Sequence, residues 1–514
     1  MSLDLLLAQK ITYGLTPALA EKVRKIGFQS YLESQLSPKE SEDALYFQKF
    51  QSTTYTIEQN KKQETRNFTC LKLSAQELFS KFNKPDVKEK NLPAFEVYAD
   101  TWLRALHSEW QLKEMMVEFW HNHFNVSILA DERIAISLPL YDATIRKHCF
   151  GNFRVFLEAI AKSPAMLYYL DNYNSKASPA NENYARELFE LHTLGAESYL
   201  NHLYNRWKEV PNALQEKPIG YIDEDVYEAA RSFTGWTVAD GSDNQKGGRF
   251  PNTGEFLYFE GWHDNYQKRV LGVEFPPNQP PMADGLKVLD LVAAHPSTAK
   301  FICTKICRRF VSDNPPESLI KKAVEVWQAN LKNPQQIKQV LWTILTSEEF
   351  KESSGKKSKR PFELFVSTLR SLQIDIQPNQ MLVYLLAQTG HTPFMWATPT
   401  GHPDVATYWH NPNFLLTRWN SLIALISEDW HKITKPLNLQ IPPSIKTPKE
   451  IAQHWLSKLL PIKYSEPLLQ KCANFIAGGG DIDEEPVFYD DRDKNHKIMN
   501  MILLITMSPE FQIR

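Results

Sequence analysis

Two histidines one residue apart, His121 and His123 in FWHNHFN, are the first place in this 514-residue chain where side chains suited to chemistry gather. Imidazoles bind divalent metals and move protons near neutral pH. Glu118 precedes His121 by three positions, a Glu-x-x-His spacing that puts carboxylate and imidazole on one helix face, as in metal-binding bundles. On a regular helix His121 and His123 point about 200° apart. They meet at one site only where the helix ends between them. Otherwise one caps the helix and the other packs in the core.

Three further constellations follow. In NENYARELFELH, Asn181 is placed to cap a helix on which Asn183, Glu187 and Glu190 share one face and Glu182, Arg186 and Glu190 another. So many charges beside Leu188, Phe189 and Leu191 mean either a buried Arg–Glu network or a cation site. GWHDNYQK carries His263, Asp264 and Lys268, which suit a metal ligand set or an oriented base, or a plain turn built by Asp264 and Asn265. ATPTGHPDVATYWHNPN holds His402, Asp404 and His410, read as a rigid loop against a pocket or as a surface loop packed by Trp409 and Trp419. Glu228 and Arg231 in DVYEAARSF are an i,i+3 ion pair of the scaffold. The absence of GxGxxG, GxxxxGK[ST], GxSxG and HExxH argues against dinucleotide-binding, P-loop, α/β-hydrolase and zincin chemistry.

The elements that must position these residues read as helices. Residues 17–36 have apolar positions at helical spacing with a stop at Gly27, and residues 91–124 make one very long or two abutting helices. The periodicity continues through 131–148, 152–163, 183–194, 223–236, 297–311 and most of the remainder, for about fifteen to twenty helices of ordinary length. Residues 254–275 break the pattern: EFLYF and RVLGV around a polar turn predict one β-hairpin with His263 and Asp264 at its tip. The fold class is therefore mostly α, a large multi-helix body with a small β-hairpin. Residues 1–354 form the main body with all three motifs. Residues 355–514 form a C-terminal helical lobe packed on it, or continue the same domain.

Composition narrows function further. Fifty-eight Lys and Arg against 60 Asp and Glu give a formal charge of −2, which does not provide the concentrated basic face of a nucleic-acid binder. No apolar run reaches the ~18 residues of a membrane span. The five cysteines, Cys70, Cys149, Cys303, Cys307 and Cys472, are too scattered for a disulfide framework and read as core thiols. The first residues lack the basic and apolar regions of a signal peptide, so the protein stays inside or begins after a removed leader.

The strings FWHNHF, GNFRVFLEAIAKSPAMLYYLDNYNS, NENYARELFELHTLG, DEDVYEAARSFTGW, FEGWHDNYQKRVLG, LVAAHPSTAKFICTKICRRFV and RPFELFVSTLR, in this order, resemble the bacterial family of unknown function DUF1800. The resemblance spans nearly the whole chain and implies a mostly helical, frequently exported protein without an assigned activity. Two departures stand out. Residues 201–220 resemble an insertion that offers a surface for a partner protein, and Glu118 falls where the family carries an apolar residue. The resemblance also implies that FWHNHF, NENYARE and the His-Asp pair meet in one site. His121, His123, Glu187, His263 and Asp264 would then ligate a divalent ion, zinc, manganese or iron. Glu182 would be the general base on a metal-bound water, and Arg186 would hold a carboxylate or an anionic substrate group. The expected function is a metal-dependent hydrolase of an envelope or extracellular polymer or a small polar substrate. An iron or copper oxidase or oxygenase is the second expectation. A non-enzymatic binding or envelope-assembly module built on buried ion pairs is the third.

Overall fold

A computed structural model describes residues 2–59, 62–427, 431–433, 437–460 and 464–514. Helices dominate, with small two-stranded antiparallel sheets between them. Among the described residues no helix is long and apolar enough to cross a membrane. All five cysteines are buried, and none is in a disulfide.

The segment expected as one or two helices is two, α1 (Leu92–His107) and α2 (Gln111–His123). The break has a cause. Ser108 is extended, its hydroxyl donates to Asp43 Oδ2 (2.6 Å), and the Glu109 N–H donates to Asp43 Oδ1 (3.1 Å). Gln111 Nε2 and Arg370 Nη1 take the α1 carbonyl of Ala105, so the helix end is satisfied without continuing. Helix α3 (Glu132–His148) is capped by Asp131 and packs on α1 and α2. At Gly27 the helix of residues 17–35 kinks and resumes where a stop was expected.

Helix α4 (Glu182–Glu187) opens on Asn181, whose side chain accepts the Asn183 N–H (2.9 Å). It widens at once into a π turn, Leu188–His192, which slips the helical register and buries His192. Helix α5 (Asp223–Ser232) follows the 201–220 segment, a series of 3₁₀ turns around Leu203, Val210 and Ala213.

The single hairpin expected over 254–275 is instead divided. EFLYF lies in β2 (Asn252–Tyr258), which pairs with β1 (Trp236–Asp240) in the register Val238↔Phe256. RVLGV folds on itself as β3 (Lys268–Val270) and β4 (Val273–Phe275). Leu271 and Gly272 between them both have positive φ, the requirement of a two-residue hairpin turn. His263 and Asp264 are thus buried in a connection rather than exposed at a tip. Helices α6 (Ala283–Ala294) and α7 (Pro296–Phe310) lead toward the C-terminal segments.

Every residue of α8 (Pro361–Leu372) is buried, and it packs against α1. The hydrophobic core runs without a break from Leu5 to Phe511, across position 354. Arg514 closes this circuit, donating to the carbonyls of Lys10 (2.5 Å) and Arg309 (2.8 Å). At the centre, Glu118 of α2 is paired with Arg309 of α7 (3.2 Å) and with Arg360, and Glu363 of α8 is paired with Arg309 and Arg514 (3.6 Å). Burial pushes the Glu363 carboxyl up, but the three arginines outweigh it and hold it well below the usual carboxylate range.

Removing one member of this cluster leaves an uncompensated buried charge. Glu363→Gln is therefore expected to lower the unfolding free energy by about 3–5 kcal/mol. Arg206→Gln, which breaks the exposed Arg206–Glu209 pair (57% and 53% exposed), should cost less than about 1 kcal/mol. Urea unfolding midpoints of the two variants check the contrast.

Candidate functional site

A cavity of about 50 Å³ lies between α1, α2, the start of α8 and residues 391–402. Trp102, Val117, Phe362 and Phe394 supply apolar walls, and Glu114, Glu118, His121, Asn122, His391 and His402 supply polar ones. Loop 391–402 is held there by the end of FWHNHFN. Asn122 Nδ2 donates to the His402 carbonyl (2.9 Å), and the His402 N–H donates to Asn122 Oδ1 (2.7 Å). Asn125 Nδ2 donates to the carbonyls of Trp396 (3.0 Å) and Thr398 (2.8 Å). Gly401 permits the approach: its φ is +69°, and a Cβ there would stand 2.1 Å from the Asn122 carbonyl oxygen. The loop is a cavity wall, the first of its two sequence readings.

His121 is the one residue of the expected ligand set that lines this cavity. Its Nε2 lies 3.0 Å from Asp142 Oδ1. Asp142 Oδ2 accepts from Arg146 Nε (2.6 Å), and Arg146 Nη1 donates to Glu114 Oε2 (2.7 Å). Burial raises the Asp142 carboxyl, but Arg146 and then His121 outweigh it and keep the carboxylate ionised. An ionised Asp142 accepts the Nε2 proton and leaves Nδ1 as the basic nitrogen, which has no protein partner among the described residues. Phe394 meets the ring edge-on at 5.0 Å.

His123 faces elsewhere, as two steps of 100° along a helix require. It is buried, and Lys305 Nζ lies 2.8 Å from Nδ1. An ammonium can only donate, so Nε2 carries the proton and donates to the His192 carbonyl (3.2 Å). Burial and the Lys305 charge hold His123 neutral, far below its ordinary pKa. Burial also draws Lys305 down to about 8.

Glu182 and Arg186 form a half-exposed pair (3.2 Å), and Arg186 also reaches Asp223 (3.2 Å). Glu187 has no hydrogen-bond partner among the described residues. Burial, then the nearby Glu190, pushes its carboxyl up to about 7. His263 and Asp264 belong to a third place. His263 Nδ1 is 2.8 Å from the Thr234 carbonyl, and Nε2 is 3.3 Å from Asp284 of α6. Arg231 forks both oxygens of Asp264 (2.8 and 3.0 Å) while also holding Glu228 (2.8 Å).

The single five-ligand centre expected from the sequence is therefore not assembled. Among the described residues no group of three or more His, Cys, Asp or Glu side chains is placed to hold a metal ion. Of the expected set, only Glu187 and one ring nitrogen of His121 remain without a protein partner, so the five as arranged do not fit one divalent ion. Asp142, Arg146, His391 and Trp102 were not singled out in the sequence. The signal for the first two was present as an i,i+4 acid–base pair beside apolar Tyr141 and Ile145, inside a helix read only as scaffold.

The chain belongs to the family described as protein of unknown function (DUF1800), which it matches over residues 6–513. No curated protein and no solved structure matches it.

Glu187 yields a pH prediction. Its carboxyl is raised in the folded protein, so the folded state holds that proton more tightly than the unfolded chain does. The resulting stability is complete below about pH 4.5 and is lost as the pH rises through about 7. Glu187→Gln should therefore melt above the parent at pH 8, by no more than about 2 °C because the group is partly solvated, and should match it near pH 4.5. Parallel thermal melts at the two pH values check this.

Proposed function

We propose that this protein is an enzyme that hydrolyses a small substrate with an apolar body, in the cavity beside α2, with His121 as general base. The chain Glu114–Arg146–Asp142–His121 carries the reading, because it ends on an imidazole that lines an aromatic cavity. In this reading Nδ1 accepts a proton from water as the water attacks the substrate. Asp142 stabilises the imidazolium that forms, and the proton then passes to the leaving group. Arg146, itself held by Glu114, keeps Asp142 from taking the proton.

The walls support the substrate class. Trp102, Phe362 and Phe394 give an apolar body something to contact and reduce competing water. A volume of about 50 Å³ holds only a few atoms, so it takes the reacting end of a substrate and does not admit a polymer threading through. In this reading the substrate is a small molecule or a chain end whose reacting group alone enters the cavity. Glu118, the other carboxylate of the Glu-x-x-His spacing, is neutralised by Arg309 and Arg360 and has no proton-transfer role here.

The test is a panel of chromogenic esters, amides and glycosides. One class is expected to turn over, with kcat reduced by about 10²–10⁴-fold in His121→Gln and Asp142→Asn while circular dichroism stays that of the parent. Undiminished turnover by His121→Gln overturns the reading. Turnover that is lost on chelation and restored by zinc, manganese or iron would replace it with metal-dependent hydrolysis.

A further inference from the structure

A second cavity, of about 330 Å³, lies on another side of the same helix and shares Asn122 and His402 with the first. Its charged lining is mostly cationic: Lys305, Arg308, Arg309 and Arg360, with Asp404 as the acid. Asp404 pairs with Lys357 (3.1 Å), and its charge also acts on Lys305 and Arg309, so it offsets part of the positive lining. Lys305 spends one donor on His123, and Arg308 Nε donates to the Asp313 carbonyl (3.1 Å). Among the described residues neither has a carboxylate within ion-pair reach. Two cations thus face the cavity without a carboxylate in contact with them.

Deeper in the wall the donors outnumber their partners. Arg309 is 1% exposed, and its Nη2 serves Glu118 and Glu363, yet its Nε and Nη1 have no partner. Arg360 Nε and Trp396 Nε1 are likewise buried and unpartnered, four donors against one acceptor of the lining without a hydrogen bond, Asp404 Oδ1. Buried N–H groups in native folds are almost always satisfied, so a run of orphan donors along one cavity wall marks the place of an absent acceptor. Guanidinium and ammonium groups together select oxyanions. Four cationic side chains against the one acid Asp404 leave a positive excess that a phosphoryl dianion offsets better near neutral pH than a single carboxylate does.

We infer that this second cavity binds a phosphoryl dianion, as free phosphate or as the phosphate of a monoester whose organic part lies against Phe119 and Phe301. The inference does not depend on the chemistry proposed for His121. The experiment is isothermal titration of the full chain with inorganic phosphate, phenyl phosphate and acetate at constant ionic strength. Saturable binding of one or both phosphates is expected, with acetate weaker by about tenfold or more. Tighter phenyl phosphate identifies a monoester as the ligand, and equal or tighter inorganic phosphate identifies the free ion. Arg308→Gln, at a half-buried position, should weaken phosphate by about tenfold or more. Lys305→Gln should do the same provided it folds with His123 in place. Absence of saturable phosphate binding, acetate binding as tightly as phosphate, or unchanged affinity in a folded Arg308→Gln overturns it.

Discussion

The rest of the fold depends on a buried set of opposite charges. Glu118, Arg309, Arg360, Glu363 and Arg514 come from α2, α7, the start of α8 and the chain's last residue, and they meet where water is largely excluded. Each would be costly alone, and together they are tolerable in essentially one arrangement. The cluster therefore fixes the relative positions of three helices more sharply than apolar packing does, since apolar faces can slide at small cost. Glu118 supplies the carboxylate that Arg309 and Arg360 both need. The same ion set borders both cavities, so their spacing is set by charge pairing.

Around that centre, α2 works as a partition. Three consecutive residues near its end face three surroundings. His121 lies against the first cavity and Asp142, Asn122 grips the backbone of residue 402, and His123 is sealed between Lys305 and the His192 carbonyl. Steps of 100° make this unavoidable for a helix covered on all sides. The HxH spacing, which looks like a ligand pair on paper, becomes a device for joining separate parts of the fold. The π turn after α4 matters here: by burying His192 it presents the carbonyl that fixes the tautomer of His123.

How much of this was legible follows from the range of the interactions. The helices were readable because 3.6-residue periodicity is local, and so was the Asn181 cap. The β region was misread because its pairing partners are not the nearest ones. EFLYF finds Trp236–Asp240 upstream, and RVLGV closes through Leu271 and Gly272, where a leucine at positive φ gives no sequence warning. Of the candidate site, His121 was visible by type. Its cavity was not, because loop 391–402 lies about 280 positions away and docks through side-chain amides to backbone, which leave no periodic trace. The charged face of NENYARE suggested a metal site, but its arginine is satisfied by Glu182 and by Asp223 from α5.

Three imidazoles line the first cavity, and their partners differ. His391 and His402 are two of them, at a ring separation of 4.7 Å. Burial drives both down, and the positive charge of Arg360 adds to it; His402 falls to about 3. Their ring nitrogens accordingly accept, His402 Nε2 from the Thr392 N–H (3.0 Å) and His391 Nδ1 from the Phe362 N–H (3.3 Å). His121 differs in one respect, the carboxylate at 3.0 Å. A carboxylate partner stabilises the imidazolium, whereas cationic neighbours penalise it. Of three imidazoles around one cavity, two are therefore fixed as neutral acceptors that hold the loop and the start of α8. The third, His121, alone pairs with a carboxylate, the partner that its proposed role as general base needs, and the cationic neighbours of the other two are the arginines that the central carboxylates draw inward.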